Sequence, residues 1–285
     1  MPIETIMDSK ETVADSWFYW REEGGVKVLV CRALEDACFA NGFSTRLGGV
    51  SSLMDVKAGT ELNLAGFNED TRENIYENRR RFFAVFSRDY RLATAWQIHG
   101  DNIRVVSDDG ELGDADERAD ALVSDLENVL LGVKTADCVP ILIGDRVTGA
   151  FAAVHAGWRG TVQSIVKKAV AKLAETFESK PEDLICAIGP AAGCDQYEVG
   201  EDVIGAFKQN FSESDKYFQQ TRSGHALVDL KAANRDQLIA AGVDSKNIQI
   251  SSLCTIERVD LFFSYRIEKA KFGRTGRSMS VIGRL

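Results

Sequence analysis

Residues Asn128 to Thr161, NVLLGVKTADCVPILIGDRVTGAFAAVHAGWRGT, constrain the fold more than any other part of the chain. Val129 to Val133 and Gly149 to Val154 are short runs of β-branched and small residues without a helical period, which reads as two strands buried on both faces. Each run leads to a side chain that binds soft or borderline metals: Cys138 after the first, His155 after the second. Beyond His155, Ala156-Gly157-Trp158-Arg159-Gly160 opens a long amphipathic stretch, Thr161 to Phe177. A glycine-flanked turn at a helix N-terminus offers backbone N–H groups and the positive end of the dipole to an anion. Arg159 adds a planar, two-pronged donor for phosphate or carboxylate.

A chain of 285 residues with 45% hydrophobic content can bury a large core, and no Pro/Gly/Ser linker or low-complexity tract divides it. One large α/β domain over residues 1–285 is expected, with two closely packed sheets as the variant. The net charge of -9 argues against nucleic acid or an anionic membrane as partner. The N-terminus carries acids where a signal peptide needs a basic start and an apolar core, so a cytoplasmic protein is expected. Six cysteines without short paired spacing read as free thiols in a reducing compartment.

Along the chain, residues 1 to 16 read as a polar extension, and Ser16 to Trp20 with Gly25 to Arg32 as a hairpin through Glu22-Glu23-Gly24-Gly25. Arg46 stands where a short strand enters a glycine turn, either as a surface ion-pair residue or as a ligand contact. A helix is expected from about Thr71 to Phe86, with acids early and arginines late. Leu92 to Trp96 reads as a strand leading to Gln97, His99 and a glycine turn. Asp109 to Asp120 reads as a solvated acidic loop without the spacing of a calcium site. Leu184 to Ile188 and Ile248 to Ile250 read as strands, Tyr197 to Phe207 and Lys231 to Ala241 as helices, and Lys269 to Arg277 as a basic tail able to close over an anion.

Only three histidines exist, and His225 lies in a polar loop. His99, Cys138 and His155 remain, each at a strand end. Three protein ligands with one open position is the arrangement of catalytic zinc. A metal-free pair, with Cys138 as nucleophile and His155 as base, is the alternative that spacing leaves open.

Gly42-Phe43-Ser44-Thr45-Arg46 with Gly48-Gly49-Val50-Ser51, Leu62-Asn63-Leu64, Trp96-Gln97-Ile98-His99-Gly100, Thr135-Ala136-Asp137-Cys138-Val139-Pro140 and His155-Ala156-Gly157-Trp158-Arg159-Gly160 resemble the motif series of the YfiH, or laccase-domain-containing, family. The resemblance continues through Ile188-Gly189-Pro190, Tyr197-Glu198-Val199-Gly200, Cys254-Thr255, Phe263-Ser264-Tyr265-Arg266 and Thr275-Gly276-Arg277, spanning residues 40 to 285. Glu61 departs from the serine that the family often carries before Leu-Asn-Leu, and residues 1–40 match nothing in it.

The resemblance implies a four-layer α/β/β/α sandwich with mixed sheets, and a zinc-dependent purine nucleoside enzyme of the cytosol. Its implied activities are phosphorolysis of adenosine, inosine and methylthioadenosine and deamination of adenosine, with His99, Cys138 and His155 as metal ligands. Arg46, Arg159 and Arg266 are then candidates for holding an anion, Asn63 and Gln97 for hydrogen bonds to base or ribose. Asp137 either moves protons or orients a ligand. The partners expected are a purine nucleoside and phosphate, with a monomer as the assembly. Older family labels name laccases, yet three histidines cannot furnish several copper centres. A Cys-His hydrolase or amidase acting on peptidoglycan precursors is the competing enzyme class, and a non-catalytic interaction protein the third.

Overall fold

The structure, a computed structural model, describes residues 16–53 and 59–285. The expected polar extension therefore lies almost wholly outside the described residues. In chain order come β1 (Phe18–Glu23), β2 (Val26–Cys31), α1 (Arg32–Asp36), β3 (Phe39–Ser44), β4 (Leu47–Ser51) and α2 (Arg72–Phe83). Then follow β5 (Arg91–Trp96), β6 (Ile103–Val105), β7 (Gly113–Arg118), β8 (Ala121–Ser124), β9 (Val129–Thr135), β10 (Val139–Asp145) and β11 (Phe151–Ala156). Next are α3 (Trp158–Val162), α4 (Ile165–Phe177), β12 (Leu184–Ile188), β13 (Glu198–Gly200), α5 (Glu201–Asn210), β14 (Phe218–Arg222) and β15 (His225–Val228). The chain closes with α6 (Leu230–Ala240), β16 (Ile248–Ile250), α7 (Tyr265–Phe272) and β17 (Ser278–Arg284).

Two mixed sheets carry the fold: β1-β2-β3-β17-β9-β5-β7 and β16-β12-β10-β11-β8-β6, with a small third sheet, β13-β15-β14. The apolar runs of β10 and β11 serve two cores by strand alternation. Leu142 and Ala153 face the seven-stranded sheet and meet Phe43 and Leu131, while Ile141, Ile143 and Val154 face outward onto Ile165, Val166 and Leu173 of α4. On the far side of the seven-stranded sheet, Val28, Leu130 and Val281 pack against Phe82 of α2. The order helix, sheet, sheet, helix is the four-layer sandwich that the motif resemblance implied. Among the described residues no helix is long and apolar enough to cross a membrane.

The hairpin of β1 and β2 forms as expected, and Thr71 caps α2 by accepting from the Asn74 N–H. Several elements differ from the sequence reading. The acidic stretch before Asp120 is no solvated loop: β7 pairs in parallel with β5, and Asp114 is neutralised by a two-pronged contact from Arg79 of α2 at 2.7 and 3.1 Å. The amphipathic stretch after His155 is two helices, because Ser164 turns left-handed at φ 61°. There the Thr161 carbonyl accepts from the Ser164 N–H and, at 2.7 Å, from Gln237 of α6. The helix expected from Tyr197 starts only at Glu201, after β13 has paired with β15. His225 opens β15 and is not in a loop. The tail helps build α7, which starts at Tyr265 and ends at Phe272 before the left-handed Gly273. β17 then lies in mid-sheet between β3 and β9, where a Cβ on Gly283 would stand 2.1 Å from the Val129 carbonyl.

Arg46 is neither a surface ion-pair residue nor exposed to a ligand. It is buried between β3 and β4, pairs with Glu61, donates to Glu268 at 2.5 Å and to the Val259 carbonyl at 2.8 Å, and lies 4.7 Å from the Phe263 ring centre. Glu61, the departure from the family pattern, thus has a structural partner. Replacing Arg46 by Met would strand two buried carboxylates, a loss of about 3–5 kcal/mol in urea unfolding. An R46M/E61Q/E268Q variant should recover part of it, and a single R46M with unchanged stability would refute this account.

Candidate metal centre

The site forms where two strands of different sheets end side by side. After β5 the chain turns through Gln97 to Gly100, with His99 left-handed at φ 59°. This strained turn is held by one carboxylate: Asp120 accepts from the N–H groups of Ile98 at 3.1 Å, His99 at 2.9 Å and Gly100 at 2.8 Å. The same carboxylate takes the Nδ1–H of His155 at 2.8 Å. A carboxylate can only accept, so Nδ1 of His155 carries a proton, and Nε2, once deprotonated, is the ring nitrogen available to a ligand.

Cys138 lies between β9 and β10, and its sulfur and one ring nitrogen from each of His99 and His155 lie within 4.8 Å of one another. The two imidazole rings meet edge to face, 4.9 Å between centres. Tetrahedral zinc-type coordination places such donors about 3.3–3.8 Å apart, so modest side-chain rotation suffices and the donor set fits a metal. The space is reserved by glycine: a Cβ on Gly157 would come 3.1 Å from both the Cys138 sulfur and the His99 ring. It is the only such cluster among the described residues.

The three side chains also influence each other's protons. Burial pushes the Cys138 thiol up, but the His155 and His99 imidazoles outweigh it, and the thiol sits at about 6. For His155 burial acts downward, while the Cys138 sulfur and the Asp120 carboxylate carry it up to about 9. Burial likewise raises Asp120, and the bonds from His155 and the turn N–H groups take it below the usual carboxylate range. A thiol inclined to ionise beside an oriented imidazole is suited to holding a metal.

The cluster faces a cavity of about 1610 Å³. Gln97, Arg159 and Arg266 line it, as do the aromatic side chains of Trp96, Trp158 and Tyr197. The Gln97 amide is spent on the Lys134 backbone, donating to its carbonyl at 2.7 Å and accepting its N–H at 2.8 Å. Arg159 lies over Trp158 and Arg266 over Tyr197. Asp137 also reaches the cavity, but its oxygens accept from Thr255 at 2.7 Å, Ser264 at 3.0 Å and the Arg266 N–H at 2.7 Å. Arg46 and Asn63 are not among the lining residues; Asn63 is buried, bonded to Asp70 and to the Arg277 N–H.

Asp120 is the residue that sequence reasoning missed, because it was grouped with the acidic run before it. Its signal was local: it stands between Ala119 and Ala121, at the start of an apolar strand.

A profile of the family described as multi-copper polyphenol oxidoreductase laccase matches residues 40–285. The chain belongs to this family. Within the laccase-like, YfiH-type family, a Bacteroides thetaiotaomicron protein named purine nucleoside phosphorylase is 33% identical over 81% of this chain and 87% of its own length. A protein named adenosine deaminase RL5, from an unknown prokaryotic organism, is 38% identical over 63% of this chain and 71% of its own. The crystal structure of the Bacillus licheniformis hypothetical protein YfiH superposes with a TM-score of 0.84 at 30% identity, covering 95% of this chain and all of that one. The motif resemblance and the sandwich are both borne out.

Because Asp120 serves both histidines, Asp120→Asn should weaken metal affinity by about 10–100-fold, measured by competition with a chromogenic chelator. Wild-type affinity in that variant would show that the carboxylate does not orient the ligands.

Proposed function

We propose that this chain is a zinc-dependent purine nucleoside enzyme, phosphorolysing adenosine, inosine and methylthioadenosine and deaminating adenosine to inosine. The observation that carries the reading is the convergence of His99, Cys138 and His155 within 4.8 Å at the wall of a cavity large enough for a nucleoside. The names of the relatives supply the substrate class. Zinc is preferred to copper because one sulfur and two imidazoles with an open vertex suit catalytic zinc. The six free cysteines, two of them exposed, favour a reducing cytoplasm, and we take the chain to act as a monomer.

Zinc, if held by His99, Cys138 and His155, would supply Lewis acidity and make water more acidic near neutral pH. The chain's own residues do the rest. Asp120 fixes His155 with Nε2 inward and pins the turn that presents His99. Trp96, Trp158 and Tyr197 offer flat apolar faces to a purine, and burying them against the base excludes water. Arg159 and Arg266 stand exposed on the cavity wall, where they attract an anion. Asp137, with both oxygens engaged, is better suited to anchoring the Cys138 turn onto Ser264 and Arg266 than to moving protons. Gln97 is read in the same way, as a brace on the cavity wall rather than a base contact.

One observation favours a second reading, a metal-free hydrolase or amidase acting on peptidoglycan precursors. Asp120, His155 and Cys138 form an acid–imidazole–thiol series like that of a cysteine nucleophile. His99 weighs against it, since such a nucleophile needs no second imidazole at its sulfur.

Purified protein incubated with adenosine, with and without phosphate, separates the reactions. Inosine formed without phosphate marks deamination, and adenine with ribose phosphate marks phosphorolysis. Absence of product in both arms would sink the purine reading. Cys138→Ser should lose its metal and about 10²-fold or more of the rate, and chelation of the wild type should do the same. Full activity after complete metal removal would favour the hydrolase class instead.

A further inference from the structure

The cavity extends well beyond the three metal-binding side chains. It continues past Trp96 and Gln97 between α2 and the β5–β7 edge, where Phe67, Arg72, Tyr76 and Arg79 line it. At about 1610 Å³ it exceeds the roughly 300–1,000 Å³ of ordinary small-molecule sites. Its lining holds seven arginines and one lysine against three aspartates, an excess of five positive charges in a chain of net charge -9. Neutral nucleosides do not call for such a wall; a phosphoryl group does.

The cations of this wall differ in how far protein groups satisfy them. Arg79 is met by Asp114 and Arg80 by Glu77, and Arg266 donates to the Glu198 carbonyl. Lys134, part-buried on β9, gives a single hydrogen bond, to the Ala95 carbonyl at 2.7 Å, and no carboxylate among the described residues stands within 4 Å of it. Two of its three ammonium protons are unclaimed by protein. Burial pushes this ammonium down to about 8, and the attraction of the Asp114 and Asp120 carboxylates, neither in direct contact with it, does not offset that.

We propose that Lys134 anchors a phosphoryl-binding subsite, taking a phosphate group that arrives free, as the co-substrate of phosphorolysis, or carried on the 5′ carbon of the nucleoside. This rests on the nucleoside reading of the site. Lys134 precedes Cys138 by four residues, so at about 3.3 Å per residue their Cα atoms stand no more than about 13 Å apart. That is the scale of one nucleoside, with its base at the metal ligands and its ribose toward the lysine. Gln97 makes the spacing rigid, since it grips the Lys134 backbone two residues before His99. Arg159 and Arg266 are exposed, and a cation facing water holds an anion less firmly than one already desolvated.

Calorimetric titration of the metal-loaded wild type, K134M and K134R with inorganic phosphate, and then with adenosine 5′-monophosphate, tests this. K134M should weaken phosphoryl binding by about tenfold or more while K134R retains most of it, with metal content unchanged in both. Monophosphate binding tighter than adenosine, with the advantage erased in K134M, assigns the subsite to a 5′-phosphate. Joint binding of adenosine and inorganic phosphate, with no advantage for the monophosphate, assigns it to the free anion. K134M that binds both probes like the wild type overturns the proposal, as does loss of binding accompanied by loss of metal. A wild type that binds phosphate through Lys134 yet neither binds nor converts adenosine would sink the nucleoside reading and leave the subsite standing.

Discussion

The functional region depends on one fully buried carboxylate. Asp120 stands at the entrance to β8 with four donors on two oxygens, three from the turn that carries His99 and one from the His155 ring. An unsatisfied carboxylate there would cost several kcal/mol, so the surrounding groups are obliged to meet it. In meeting it they bring together the donors of the candidate metal cluster. The left-handed backbone at His99 is tolerated for the same reason: three N–H bonds hold a conformation that a non-glycine residue rarely adopts alone.

That carboxylate is effective because of its setting. His99 follows a strand of the seven-stranded sheet, while Asp120 precedes and His155 lies within strands of the six-stranded one, so the cluster straddles the seam between the two layers. The shared core of Phe43, Leu131, Leu142 and Ala153 fixes the distance between the sheets. β17 and Gly283 secure the middle of one sheet, and Arg46 with Glu61 and Glu268 locks the β3–β4 corner onto α7. α7 in turn is capped by Ser264, which donates to Asp137 beside Cys138. Packing far from the cavity therefore reaches the sulfur through a short series of buried polar contacts.

The sequence by itself determined the parts that local periodicity and residue chemistry dictate. The apolar runs of β9 and β11 marked strands buried on two faces, the charge order of α2 marked a helix, and the rarity of histidine singled out His99 and His155 beside Cys138. Motif order carried the family and its layered sandwich. These features depend on residues near one another in the chain, or on a pattern long enough to be specific.

Only the tertiary structure decided which charges are buried and which are spent. The acidic run before Asp120 became a strand because Arg79 neutralises Asp114 from another layer, and Asp120 became the support of both histidines because two strand ends meet over it. Arg46 and Asn63, candidate ligand contacts by the motif resemblance, turned inward to partners more than 200 residues away. Lys134 gains its cavity setting only through the packing of α2 and β5 beside β9. A charge is stabilised by whatever stands within a few ångströms, and for residues so far apart in the chain that neighbourhood exists only after the sheets have packed.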